Sequence, residues 1–317
     1  MKHKIWTKAF FLLMPTLALA AQDTNEYKPT SVVKQYEGYT LIWQDEFDKD
    51  GRPDERWDYE QGFVRNNELQ WYQADNASVK DGVLVIEGRR EVVNNPYYEE
   101  GAHDWRRARQ QAEYTSASLT TRKSFHFKYG RVEVRAKIPT ASGSWPAIWL
   151  LGNQWGWPSC GEVDMMEYYI AKGIPSILAN ACWRGERDNS PVWDSVVAPL
   201  THFTDSDANL AEKFHVWRMD WDEMFIQLYL DDELMNTIDL SKTINRGGRA
   251  RGENPFSNDV EDFGMYILLN LALGENGGTP DDSRFPLKYC VDYVRVYSPS
   301  ATTNAASASD GHAAGLR

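Results

Sequence analysis

Cysteine is scarce: three residues in 317, at positions 160, 182 and 290. So small and odd a number excludes a disulfide framework. It leaves open one Cys160–Cys182 bridge in an oxidising compartment, or buried thiols throughout. The cysteines and the six histidines form no cluster with zinc-ligand spacing, and no glycine loop of the phosphate-cradling kind is present. Basic residues are outnumbered, 34 against 46 acidic, for a net charge of −12. That balance argues against nucleic acid and other polyanions as partners and mildly favours a neutral substrate. Long helical periodicity is missing, and no apolar run, the N-terminal one included, is long enough to span a bilayer.

The N-terminus itself reads as an export signal over residues 1–21. Lys2, Lys4 and Lys8 make a positive start, FFLLMPTLALA an apolar core, and Ala18-Leu19-Ala20 a small-residue cleavage site. No cysteine follows that would take a lipid. The mature chain is therefore expected to be secreted or periplasmic, without membrane insertion, and a monomer. Its charge is more negative still, with 31 basic residues against 46 acidic once those three lysines are removed.

Residues 22–38 form a polar arm. Between 39 and 298, strand-length apolar runs such as TLIWQDEF, VLVIEGRREV, RVEVRAKI and YCVDYVRVY alternate with Gly, Pro, Asn and Asp. Even spacing without a composition break predicts one all-β domain, a sandwich or jelly roll. Residues 299–317 are poor in bulky apolar side chains and read as a disordered tail.

The chemistry is concentrated in GEVDMMEYY, from Gly161 to Tyr169. In a strand Glu162 and Asp164 share one face and Val163 and Met165 the other. Strict alternation would then bury Glu167, and an unpaired buried carboxylate is costly. A single-residue bulge at Met165-Met166 returns Glu167 to the acid face. The two glutamates then lie roughly 13 Å apart along the backbone, a gap that inward-leaning side chains can narrow to the ~5–5.5 Å of a retaining glycosidase pair. Asp164 between them can keep their pKa values apart. A surface strand with solvated acids is the plain alternative, but Trp145, Trp149, Trp155 and Trp157 crowd in just upstream.

The run SWPAIWLLGNQWGWPSCGEVDMMEYY resembles the signature of glycoside hydrolase family 16 in its bulged form, as in laminarinases and agarases. NNELQWY, YGRVEVRAKIP, FHVWRMDWD, ILLNLALG and VDYVRVY are each similar to further landmarks of that family, in the family's order. The resemblance implies a β-jelly-roll of two curved antiparallel sheets with a substrate groove on the concave face. It implies Glu162 as nucleophile, Glu167 as acid and base, and Asp164 as the residue tuning both. It also implies sugar contacts by Trp145, Trp149 and Asn67, with Glu68 beside it. No cofactor is required, although some members hold a structural calcium near the last strand, where Asp292 is the nearest candidate.

Two departures bear on substrate. Ser118 stands where laminarinase-like members carry an arginine, and ILANACW stands where they carry Thr-x-His. The second variant resembles secreted bacterial enzymes that cut β-galactoside chains, including mucin O-glycans, and points to Asn180 and Trp183 as substrate contacts. The expectation is an endo-acting enzyme cutting internal β-1,4-galactosidic linkages of an oligo- or polysaccharide. A β-1,3-glucanase, a transglycosylase and a non-catalytic carbohydrate-binding protein are the competing readings. The long polar segment from Trp183 to Phe214 is either a groove wall or a plain surface loop.

Overall fold

The computed structural model describes residues 32–187 and 190–300. The expected signal peptide, the start of the arm and the tail beyond residue 300 lie outside them. Seventeen strands form the framework of the described chain. They are β1 (Tyr39–Asp45), β2 (Asp58–Tyr59), β3 (Gln70–Tyr72), β4 (Ala77–Lys80), β5 (Val83–Asn94) and β6 (Gln111–Ser116). Next come β7 (Ser118–Thr120), β8 (Gly130–Lys137), β9 (Ser144–Gly152), β10 (Glu162–Ala171), β11 (Ile174–Arg184) and β12 (Pro191–Pro199). The last are β13 (His215–Trp221), β14 (Phe225–Leu230), β15 (Glu233–Asp239), β16 (Met265–Leu273) and β17 (Leu287–Pro299). Two short helices, α1 (Trp105–Ala108) and α2 (Leu200–Thr204), lie in connections.

The strands form a β-jelly-roll sandwich. One sheet runs β12-β11-β10-β9-β16-β7-β2; the other runs β15-β14-β13-β8-β17-β5-β6-β3, with β1 added to β17 and β4 to β5. Pairing is antiparallel except between β3 and β6, which run parallel. Period-two patterning explains the layers. In β8, Val132, Val134 and Ala136 enter the core between the sheets, while Arg131 and Arg135 point outward to Asp220 and Asp292. In β16, Ile267, Leu269, Leu271 and Leu273 face that core. Tyr266 and Leu268 pack on the opposite face with Ala147 and Trp149, so this strand is buried on both sides.

Several expectations change here. The segment from Trp183 to Phe214 is not a plain loop: β12 pairs with β11 from Ser176↔Pro199 to Arg184↔Pro191 and widens the first sheet by one strand. Asn236 on β15 donates to Ala179 O and to Asp194 Oδ1, tying that edge to the second sheet. The tail does not begin at 299, because β17 runs through Pro299, which pairs with Tyr39. In the arm, the Tyr36 hydroxyl donates to Glu133 and its ring meets Tyr297 edge-on at 5.2 Å. All three cysteines are buried free thiols. The calcium candidate does not fit: Arg135 Nη1 lies 2.5 Å from the buried Asp292 carboxylate, and no group of three acidic, His or Cys ligands converges among the described residues. Nor is any helix among them long and apolar enough to cross a membrane.

Candidate active site

The outer face of the first sheet carries a groove of about 880 Å³. Its centre is β10. Against β9, Asp164 pairs with Trp149 and Met166 with Ile148; against β11, Asp164 pairs with Asn180 and Glu167 with Leu178. One extra residue therefore sits between Asp164 and Glu167, the bulge that the cost of burying an acid requires. Met165 and Met166 go inward to the core, and Glu162, Asp164 and Glu167 all line the groove.

Each acid has its own partners. Trp157 Nε1 donates to Glu162 Oε2 at 2.5 Å, and Trp145 Nε1 to Glu167 Oε1 at 2.9 Å. Asn180 Nδ2 donates to Glu167 Oε2 at 3.1 Å and to Asp164 Oδ2 at 3.3 Å. Burial pushes Glu167 up to about 7; the Glu162 charge adds to this, and the Trp145, Asn180 and Asp164 hydrogen bonds oppose it. Burial also raises Asp164 well above its ordinary value, and the charges of Glu167 and Glu162 raise it further. Glu162 is raised by burial too, but hydrogen bonds from Trp157 and Asp164 and the positive charge of Arg65 pull it back. Three acids on one face with separated affinities can give and take protons at different stages of a reaction.

The remaining expected residues are distributed unevenly. Trp145, Trp149, Asn67, Glu68 and Asn180 line the groove. Asn66 and Asn67 both adopt left-handed backbone, φ 54° and 52°, a conformation asparagine tolerates better than most residues. Glu68 is buried and accepts from Gln70 Nε2 at 2.7 Å and Asn66 Nδ2 at 3.2 Å, which makes it a brace for this turn. Trp183 does not belong. It is 6% exposed and packs in the core between the sheets. It lies three positions after Asn180, an odd step, so in a regular strand the two cannot share a face.

Arg65, Trp193, Ser195 and Asn270 are among the groove residues that the sequence did not single out. Arg65 comes from the loop before β3; its guanidinium sits 5.0 Å from the centre of the Trp149 ring and is paired to Glu60. Ser118 Oγ donates to that same Glu60 carboxylate at 2.6 Å. The groove thus has an arginine after all, supplied by a different segment and anchored through the serine. Trp193 and Ser195 line the groove from β12; their one-face alternation in PVWDSVV was the available signal. Asn270, the single polar side chain in β16, accepts from Trp149 Nε1 at 2.7 Å and donates to the Tyr72 hydroxyl at 2.9 Å. Trp145 and Trp149 are largely covered, by Tyr169 and Arg65 respectively. The open indole surfaces of the groove belong to Trp157, 45% exposed, and Trp193, 43% exposed.

Comparison with known proteins follows the same geometry. The model of glycosyl hydrolases family 16 matches residues 66–250. A beta-glucanase from Rhodothermus marinus is 35% identical over 82% of this chain and 85% of its own length. A keratan-sulfate endo-1,4-beta-galactosidase from Sphingobacterium multivorum is 30% identical over 90% of this chain and 60% of its own length. A solved structure from work on prominent members of the human gut microbiota, which express endo-acting O-glycanases to initiate mucin breakdown, is 35% identical. It superposes with a TM-score of 0.72 over 83% of this chain and 92% of that one. Across eight curated relatives, the share of the relative's own length that this chain spans runs from 35% to 85%, so several of them are far longer.

Proposed function

The chain belongs to glycosyl hydrolases family 16 and is an endo-acting glycoside hydrolase; from that premise we propose that it cuts internal β-1,4-galactosidic linkages in galactose-containing chains such as mucin O-glycans, with retention of configuration. The observation that carries the chemistry is the bulged strand holding Glu162, Asp164 and Glu167 on one groove face.

Glu167, protonated up to about pH 7, gives its proton to the glycosidic oxygen as that bond breaks. The Glu162 carboxylate attacks the anomeric carbon and forms a glycosyl ester. Glu167, now ionised, takes a proton from water; the hydroxide so generated displaces Glu162 from the sugar, and both glutamates are returned to their starting states. Asp164, whose hold on its proton is strengthened by burial and by the two neighbouring acids, donates to Glu162. Trp157 and Trp193 offer flat surfaces to sugar rings on either side. An acceptor sugar replacing water at the second step would give transglycosylation, which product analysis with and without added acceptor separates.

The substrate reading rests on β11. Asn180 lines the groove on the strand where laminarinase-like members carry Thr-x-His, and it touches two of the three acids. Epimeric sugars differ in the direction of one hydroxyl, and a site built to hydrogen-bond one pattern rejects the other strongly. The keratan-sulfate galactosidase and O-glycanase likenesses favour galactose. A β-1,3-glucanase is the second reading, favoured by the likeness to the beta-glucanase and by Arg65, which restores a cation to the groove. Measuring kcat/KM on a β-1,4-galactosyl oligosaccharide and on laminarin decides between them. A clear preference for laminarin returns the chain to the glucanases.

A further inference from the structure

The loop at residues 61–68 walls two concavities. Arg65 to Glu68 face the groove, while Gly62 and Phe63 face a separate cavity of about 560 Å³ whose other walls include Trp71, Asn95, Tyr97 and Tyr98. Trp71 is buried edge-on against Phe63, 5.4 Å between ring centres, and Tyr97 stacks on it at 6.4 Å and 22°. One face of Tyr97 thus covers Trp71 and the other faces solvent; Tyr97 is 69% exposed and Tyr98 41%. We propose that this cavity is a second carbohydrate site, holding a neutral stretch of the same class of glycan that is cut in the groove. The inference rests on the reading of the groove as a glycan-cleaving site.

Three observations point to a sugar. The aromatic surface is held in place by a fully engaged turn. Asn95 Nδ2 donates to the carbonyls of Arg106 and Arg109, both at 2.7 Å, and its Oδ1 accepts from Tyr97 N at 3.0 Å. Rigid exposed tyrosines give contact area at little conformational cost. The small cluster of Phe63, Trp71 and Ala112 beneath does not include them as core members, so packing alone leaves their exposure unexplained.

Second, the arginines at the rim are paired. Arg106 pairs with Asp104 and Arg107 with Glu99. Each lining arginine is thus engaged by a carboxylate, which leaves donors and acceptors around a stacking surface, a setting that suits hydroxyls. Third, the cavity adjoins the groove wall mechanically. Arg106 donates to Val64 O at 2.9 and 2.8 Å from two nitrogens, and Arg109 donates to Asn67 O at 2.8 Å. The segment that lines the cavity therefore also holds the loop that lines the groove.

The test uses the full chain and a Tyr97→Ala/Tyr98→Ala variant, with Tyr97→Phe/Tyr98→Phe as the conservative control. Each is assayed on laminarin, keratan sulfate and gastric mucin, and on a tetrasaccharide of whichever linkage is cut. On the polymer, KM should rise about fivefold in the alanine variant, the scale of a lost aromatic contact. On the tetrasaccharide it should stay within about twofold, and the phenylalanine variant should resemble the parent. Unchanged kinetics on both substrates would overturn the proposal. So would an equal loss on both, because that would make the turn a brace for the groove wall and nothing more. If none of the polymers is cut, the reading of the groove fails instead. Retardation of the parent chain, but not of the alanine variant, in gels cast with each polymer would then still support the second site, and absence of retardation would dismiss it.

Discussion

Trp145 is bonded to Glu167: its indole N–H donates to Oε1 at 2.9 Å, and the ring edge meets Tyr169. The residue expected to stack on a sugar is therefore also a hydrogen-bond donor to the proposed acid, and it opposes the rise of Glu167 to about 7. Trp145→Phe keeps a ring and removes the donor. Glu167 should then hold its proton to higher pH. The basic limb of kcat/KM, where Glu167 loses that proton, should move upward with little change in KM. A pH–rate profile whose basic limb stays put would detach Trp145 from proton control.

Glu162→Gln and Glu167→Gln should each reduce turnover by several orders of magnitude, since proton transfer alone is worth ~10²–10⁴. The two should differ with an activated aryl leaving group, which needs no protonation: the Glu167 variant recovers its first step and the Glu162 variant does not. Proton NMR of the first product formed reads the anomer and hence retention. More than about a tenth of the parent rate in either variant would remove that residue from its role.

Asp164 is raised well above its ordinary value by burial and by its two acidic neighbours, and it hydrogen-bonds Glu162. As Asn it loses the O–H that helps hold Glu162 down. The Glu162 pKa should rise and the acidic limb should move to higher pH, with the rate lowered but not abolished. An unchanged acidic limb would rule out the tuning role.

Arg65, which lies over the Trp149 ring, also holds Glu162 down. Arg65→Met should shift the acidic limb upward in the same sense, while the basic limb set by Glu167 stays in place. Ser118→Ala, which frees Glu60 from one of its two partners, should give a smaller shift of the same sign. Opposite signs would disprove the Ser118–Glu60–Arg65 connection.

Far from the groove, Arg295 is wholly buried and binds Glu46 through two nitrogens, both at 2.7 Å. Removing one member of a buried pair strands the other charge, at ~3–5 kcal/mol. Glu46→Ala should lower unfolding stability by about that amount in urea titration, with activity per folded molecule unchanged. A loss under about 1 kcal/mol would mean that solvent reaches Arg295 readily.

The bulge was legible because it is a local conflict. Three acids and alternating faces cannot be reconciled in nine residues without one extra residue, and β10 resolves it there. Trp183 was misplaced for a related reason: its three-residue step from Asn180 puts it on the core face, and no bulge intervenes in β11 to change that. The loss of a groove arginine, inferred from Ser118, was half of the truth. The serine is there, but it supports an arginine that arrives from residue 65. Trp193 was hidden in a segment whose polarity resembled a loop; only pairing to β11 made it a strand.

The amino-acid order alone determined the β class, the acid face and the identity of the three acids, because strand alternation and the cost of a buried charge act between near neighbours. Tertiary structure decided what surrounds them. Asn270 reaches Trp149 across 121 positions of chain, and Arg65 reaches the same ring from a loop before β3. Which acid keeps its proton follows from those arrivals and from desolvation, and both exist only once the sheets have closed.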